Sequence, residues 1–336
     1  MIADRPWDIA AGQHFLRLLD FLPGVHTTVK LEGLNPAGSI KMKTARELVL
    51  DGERRGLLTS GTELIESSSG NLGIALAIIS AERGYRLTVV TDPNATERAI
   101  RHIRALGAEV VVVRERDDSG GYLKVRIEFI RRRLAENPRL VWLNQYANEA
   151  NVMAHRKHTV TEILEGFGVP DWLFVGAGTT GTLMGCVDGL RSAGAGTQVV
   201  AVDSVGSVTF GTRASIRRIP GLGSTRRPEI FVDDNSFLKV LIPEADAIRM
   251  CRRIAREHGL LLGGSSGTVL AGVMGMQQRI APGSTVLAIS ADQGDRYLDT
   301  VYDDAWVTEN FGPDVLMLHT QPPCVMILNQ FAAERG

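Results

Sequence analysis

Lys41 closes the run NPAGSIK (residues 35–41), which reads as a turn leading into an apolar helical pattern through Ala45, Leu48 and Val49. This spacing predicts a helix with Lys41 in its first turn. The positive end of a helix dipole disfavours a cation there and lowers the pKa of an ammonium group. A lysine amine so placed can form a Schiff base with a carbonyl cofactor. Alone, Lys41 reads as an ordinary solvated lysine, with Lys43 two residues on. Three other turns change that reading.

The strongest anion signal is GAGTTGT (176–182), between an apolar strand-like run and a helical pattern. Glycines permit close approach, backbone N–H groups face outward at the helix start, and threonines add hydroxyls: a phosphate cup. It lacks the GK[ST] of a Walker loop. The GxGxxG spacing from Gly176 to Gly181 is a weak dinucleotide match, because Asp203 stands too near to it to be the ribose-binding acid. The turn SSSGNLG (67–73) offers serine hydroxyls, helix-start amides and the Asn71 amide to a carboxylate or second anion. GGSSG (263–267) puts a serine hydroxyl at another helix start. Each of the last two alone is a helix cap. Together, a reactive lysine, an amide for a phenolic oxygen, a phosphate cup and a hydroxyl for a ring nitrogen meet the needs of pyridoxal phosphate.

The elements that must carry these turns alternate. Apolar strand runs at 62–66, 86–91, 109–113 and 140–143 are separated by helical patterns at 74–81, 96–106 and 122–134, the last with an RRR run read as a solvated face. A second series follows: helix 152–164, strand 172–175, a helix through Leu183 and Leu190, strand 198–202, helix 245–258, a short strand at 260–262, a further helix after GGSSG, and strand 285–290. Ahead of both, residues 9–24 read as a short helix and residues 25–33 as a strand. Residues 203–235 have no clean period and are too long for a simple connection, which suggests a functional excursion.

Composition bounds the class. The chain has 336 residues, 44% hydrophobic and 22% charged, with 37 Lys plus Arg against 38 Asp plus Glu. A formal net charge of -1 gives no reason to expect a nucleic-acid partner. Three widely spaced cysteines form neither a metal pattern nor a disulfide framework. No apolar run reaches membrane-spanning length, so a cytoplasmic enzyme with no metal and no membrane partner is expected.

The chain resembles the fold-type II pyridoxal-phosphate enzymes, the cysteine synthase and tryptophan synthase β group. NPAGSIK, SSSGNLG, NQY (144–146), GAGTTGT, PGLG (220–223), GGSSG and DQGDRY (292–297) occur in that family's order and cover most of the chain. The resemblance implies an α/β fold with two open, twisted, parallel-type sheets flanked by helices, and the cofactor in the cleft between domains. Residues 45–150 would form a smaller mobile domain, and 1–44 with 151–336 a larger cofactor-binding one. It also implies Lys41 as the Schiff-base lysine and Asn71 at the cofactor 3′ oxygen. Gly178, Thr179, Thr180, Gly181 and Thr182 would hold the phosphate, and Ser265 the pyridine nitrogen. Ser68, Ser69, Gly70 and Gln145 would bind the substrate α-carboxylate. A serine hydroxyl at the pyridine nitrogen leaves the ring unprotonated, a moderate electron sink suited to β-elimination. A homodimer acting on small amino acids is expected from the family alone.

Several residues depart from the cysteine synthase pattern. SSSGNLG stands for PTSGNTG, so Leu72 removes a hydroxyl, and Met42 and Lys43 replace an Asp-Arg pair. Residues 203–227 and 292–306 resemble instead the enzymes that make a 2,3-diaminopropionate precursor for siderophores and peptide antibiotics. Those join O-phospho-L-serine to L-glutamate through an aminoacrylate, releasing phosphate and N-(2-amino-2-carboxyethyl)-L-glutamate. Such substrates call for a cationic pocket, with Arg213, Arg217, Arg218, Arg226 and Arg227 as candidates and Arg218 and Arg226 preferred. The competing readings are a cysteine synthase using O-acetylserine or O-phosphoserine with sulfide, and a catalytically dead binding module. Retention of Lys41, Asn71, the phosphate turn and Ser265 opposes the last.

Overall fold

The computed structural model describes residues 3–10, 12–68, 70–117, 120–317 and 322–328. Strands β1 (Phe15–Arg17) and β2 (His26–Leu31) lead into helix α1 (Lys41–Arg54). Strand β3 (Glu63–Ser67) opens an alternating series of α2 (Asn71–Arg83), β4 (Arg86–Thr91), α3 (Glu97–Ala105), β5 (Glu109–Val112), α4 (Leu123–Glu136) and β6 (Leu140–Trp142). Helix α5 (Ala150–Ala154) continues through a π-helical turn (His155–Thr159) into α6 (Val160–Gly166). Then follow β7 (Trp172–Gly176), α7 (Gly181–Ser192), β8 (Gln198–Ser204), β9 (Leu238–Ile242), α8 (Glu244–His258), α9 (Gly264–Gly275), β10 (Thr285–Ser290), α10 (Asp304–Phe311) and β11 (Met326–Ile327).

Two sheets result. The four-stranded one, in the order β5-β4-β3-β6, is parallel throughout. The seven-stranded one runs β1-β2-β10-β7-β8-β9-β11, parallel except for the two edge strands. Central strands such as Arg86–Thr91 and Thr285–Ser290 are apolar and β-branched because helices cover both sheet faces. On the large sheet, Phe174, Val200, Val202 and Val240 pack with Val269, Leu270 and Val273 of α9, while Leu173, Val175 and Ala201 pack with Leu183 and Leu190 of α7.

Three local expectations change. Residues 9–24 are not a helix: a short 3₁₀ turn (Pro6–Ala10) precedes β1, which pairs antiparallel with β2, Phe15 opposite Lys30. The open edge of β2 supplies hydrogen bonds that outweigh a weak helical pattern. Strand β9, hidden behind the long irregular segment, pairs parallel with β8. Residues 260–262 form only a single bridge, Leu262 to Gln293.

Helix α7 crosses the α5–α6 rod closely enough that a Cβ on Gly185 would stand 2.5 Å from the Val152 carbonyl oxygen. Backbone cannot yield as a side chain can. Gly185→Ala is therefore expected to cost at least about 1–3 kcal/mol, read as a lowered midpoint in thermal or denaturant unfolding.

Candidate active site

The chemistry-bearing turns all converge on one cavity of about 270 Å³, between the two sheets. Lys41, Asn71, Gly178, Thr179, Thr180, Thr182 and Ser265 line it, as do Ser68, Gly70, Gln145 and Arg218. Gly181 stands just behind: a Cβ there would lie 2.2 Å from Asn151 Oδ1. Ser69 lies outside the described residues.

The Lys41 turn is held by its own asparagine. Asn35 Nδ2 donates to the carbonyls of Glu32 (2.8 Å) and Ser39 (3.0 Å), and Asn35 Oδ1 accepts from Ala37 N. The Ile40 amide donates to Ala291 O (2.7 Å), tying the helix start to the end of β10. The Lys41 pKa is held down to about 8, first by burial, with Asp292 opposing. An amine must be neutral to attack an aldehyde. Pyridoxal phosphate added to the apoprotein should therefore bind covalently faster as pH rises through about 8, then level off, as followed by stopped-flow absorbance.

Met42 and Lys43 both point inward. Met42 joins the core beside α2. Lys43 is not solvated: it pairs with Glu32 (2.8 Å) and Glu162 (2.6 Å), and Lys30 pairs with the same two at 2.9 and 2.5 Å. Burial opposes charge here, yet the two carboxylates hold Lys30 above its ordinary value, and the two lysines hold Glu32 below its own. This neutral quartet clamps α1 to β2 and α6. Removing one member would leave a buried charge unpaired.

The phosphate turn fits a phosphate. Thr180 is left-handed (φ 68°) and 2% exposed, and its Oγ1 has no hydrogen-bond partner. The first amides of α7 lack intrahelical acceptors, as at every helix start. A Cβ on Gly178 would stand 2.9 Å from Gly221 O, so PGLG closes over the turn, and Gly223 N donates to Ala177 O (3.1 Å). Behind it, Asn151 Nδ2 donates to Thr179 Oγ1 (3.0 Å) and Gln145 O (2.8 Å). The π turn brings His155 Nε2 to both Thr182 Oγ1 (3.2 Å) and Thr44 Oγ1 (3.1 Å), with Nδ1 at Thr159 Oγ1. Burial, with Lys41 and Lys43 adding repulsion, drives the His155 pKa well down, so its ring is neutral.

On the other wall, Ser68 Oγ accepts from Gly70 N (3.2 Å) and Gly73 N (3.0 Å), capping α2. Gln145 Nε2 donates to Ser67 O (2.8 Å). Asn71 Nδ2 donates to Asp292 Oδ2 (2.8 Å) and its Oδ1 accepts from Arg296 (2.6 Å). A guanidinium can only donate, which fixes the amide's orientation.

The candidate arginines separate in the structure. Arg217 and Arg218 line the cavity. Arg226 does not: its guanidinium is engaged by Glu229, and Arg227 lies over the Phe231 ring (4.7 Å). Arg213 is also absent from the lining. Three other arginines enter instead: Arg116, Arg126 and Arg296. Arg126 is 6% exposed; its Nε lies 3.4 Å from Asp92 Oδ2, yet Nε and Nη1 have no hydrogen-bond partner. A signal existed. Leu123, Arg126, Ile127 and Ile130 share the buried stripe of α4, and an arginine on such a stripe needs an anion. The neighbouring RRR run drew attention instead. Among the described residues no cluster suits a metal ion and no helix is long and apolar enough to cross a membrane.

Comparison with known proteins gives the family. Residues 14–292 match the family model described as pyridoxal-phosphate dependent enzyme. The N-(2-amino-2-carboxyethyl)-L-glutamate synthase of Ralstonia nicotianae is 40% identical over 310 residues, 91% of this chain and 92% of that one. A solved O-ureido-L-serine synthase superposes with a TM-score of 0.83 at 32% identity, covering 92% of this chain and 100% of the other. The cysteine synthase of Entamoeba histolytica gives 0.82 at 28% identity, covering 94% and 95%. This chain belongs to the pyridoxal-phosphate dependent enzymes, with the fold-type II architecture of the cysteine synthases and pyridoxal phosphate as its cofactor.

Proposed function

For this pyridoxal-phosphate enzyme, we propose β-replacement on O-phospho-L-serine with L-glutamate as nucleophile, giving N-(2-amino-2-carboxyethyl)-L-glutamate and phosphate, a step toward L-2,3-diaminopropionate. The observation that carries it is Arg126, a buried arginine that lines the same cavity as Lys41 and the phosphate turn, pairs with Asp92 and keeps two guanidinium nitrogens, Nε and Nη1, without a hydrogen-bond partner. A cavity for O-acetylserine and sulfide needs no such group. One for a phosphate ester and a dicarboxylic amino acid does. The named activity of the Ralstonia relative supports the same reading.

When bound, pyridoxal phosphate supplies the electron sink that lets the Cα–H and Cβ–O bonds of the substrate break. Lys41 is the covalent anchor, and its freed amine takes the Cα proton and returns it once the new bond is made. Gly178, Thr179, Thr180, Gly181 and Thr182 hold the cofactor phosphate, Asn71 its 3′ oxygen and Ser265 its ring nitrogen. Ser68, Ser69, Gly70 and Gln145 take the substrate α-carboxylate. Arg126, with Arg116, Arg217 and Arg218 nearer the mouth, receives the leaving phosphate and then the carboxylates of glutamate. Once the Cα proton is taken, phosphate departs with the Cβ–O electrons; the glutamate nitrogen then bonds to Cβ and sheds a proton. The protein acts in this proposal as a cytoplasmic homodimer.

The test offers O-phosphoserine and O-acetylserine separately, each with glutamate or sulfide, and identifies products by mass spectrometry. The glutamate adduct is expected from O-phosphoserine. Rapid cysteine formation without that adduct would make the enzyme a cysteine synthase.

A further inference from the structure

The irregular segment after β8 forms one wall of the cavity. Residues 215–225 all line it, and none of them belongs to a helix or strand. Its two ends are tied down. Ser215 N donates to Gly206 O (3.2 Å), Gly223 N to Ala177 O (3.1 Å) and Ser224 N to Ser207 Oγ (3.0 Å). Between those ties, among the described residues, two backbone amides find an acceptor, and both find the same one: the Glu244 carboxyl at the start of α8. Arg218 N lies 3.0 Å from Oε1 and 2.9 Å from Oε2, and Ile219 N lies 2.7 Å from Oε1.

We infer that Glu244 is a positioning residue for the nucleophile. By holding the backbone at 218–219 it fixes where Arg217 and Arg218 stand in the cavity, and with them the affinity for an acidic amine. The inference rests on the use of L-glutamate proposed above.

Backbone amides only donate, and a carboxyl oxygen accepts in either protonation state, so the contact does not depend on the charge of Glu244. It seats the segment on α8: Ile219 packs with Ala247, Ile248 and Cys251, and a Cβ on Gly264 would stand 2.2 Å from Ile219 Cγ2. From that seat Arg217 reaches forward, its Nη1 donating to Leu222 O (2.8 Å). A stretch with no ladder hydrogen bonds has wide conformational freedom. A guanidinium that must meet a carboxylate in two parallel bonds tolerates little of it. Lys41 and the phosphate turn have supports of their own, Asn35 on Glu32 and Ser39, and Asn151 on Thr179. Cofactor attachment therefore does not depend on Glu244. Arg217 and Arg218 also favour the charged form of Glu244. A purely electrostatic role is thus the competing account, and side-chain reach separates the two.

The test uses the holoenzyme with O-phosphoserine and varied glutamate. Glu244→Asp keeps the charge but withdraws the carboxyl by one methylene, out of reach of the two amides. Its KM for glutamate should rise about tenfold or more, with kcat changed less than about threefold, and its visible cofactor absorbance should be intact. Glu244→Gln loses the charge but keeps a carbonyl oxygen of full reach, and its KM should stay within about threefold of wild type. In a background carrying Arg217→Ala and Arg218→Ala, Glu244→Asp should raise KM no further. An unchanged KM in Glu244→Asp, a larger rise in Glu244→Gln, or an equal rise without the arginines would overturn the inference. Loss of cofactor absorbance in Glu244→Asp would overturn it too, by showing a general support of the fold. If the wild type makes no glutamate adduct, the proposed nucleophile itself is wrong.

Discussion

Replacement of Lys41 by alanine is expected to lower turnover by about 10³-fold or more and to abolish the visible absorbance that the cofactor gains on attachment to the protein. The size of the loss follows from the two duties proposed for one amine, covalent anchorage and proton transfer at Cα. Among the described residues lining the cavity it is the only lysine. Its nearest potential substitute, Lys43, is committed to Glu32 and Glu162 in the buried quartet and cannot swing in. The phosphate turn is untouched by the change, so Lys41→Ala should still bind pyridoxal phosphate, now reversibly, as read by equilibrium dialysis. Retention of full turnover by the variant would refute the assigned role.

Arg126→Ala is expected to reduce kcat/KM with O-phosphoserine and glutamate by about 10²-fold or more, the order expected when one partner of a buried, charge-assisted contact is removed. The visible spectrum of the holoenzyme should be unchanged, because Arg126 lies on α4 and not on the cofactor turns. Arg126→Lys should rescue poorly, since an ammonium cannot reproduce a bidentate guanidinium contact. Arg226→Ala serves as the control: its side chain is engaged by Glu229 outside the cavity lining, and an exposed pair of this kind is worth at most about 1 kcal/mol. Steady-state kinetics on the three variants separates the arginine the cavity uses from the one that motif likeness favoured. Equal losses for Arg126→Ala and Arg226→Ala would refute the assignment.

The placement of Arg226 outside the cavity lining shows where reading along a chain stops. Residues 203–235 contain no periodic pattern, so nothing local tells which arginine turns inward. Arg217 does so because its Nη1 donates to Leu222 O (2.8 Å), within the loop that closes the phosphate turn. Arg226, nine residues on, finds Glu229 first. The missed strand β9 has the same origin: five residues after an irregular stretch become a strand because β8 offers an edge.

The alternation of strands and helices, the cofactor, and the turns proposed to hold it can all be read along the chain. Those are short-range properties: hydrophobic period, a glycine where backbone must approach a phosphate, a hydroxyl at a helix start. Lys41, Asn71, Thr180 and Ser265 could be singled out as candidates because each sits in a turn of distinctive composition, and the fold brings all four to one cavity. What lies behind them emerges from the folded arrangement alone. Lys30, Glu32, Lys43 and Glu162 come from three separate segments, and Asp292 reaches Asn71 across 221 residues. Charge pairing and desolvation depend on distance in space, and no spacing along the chain records that distance.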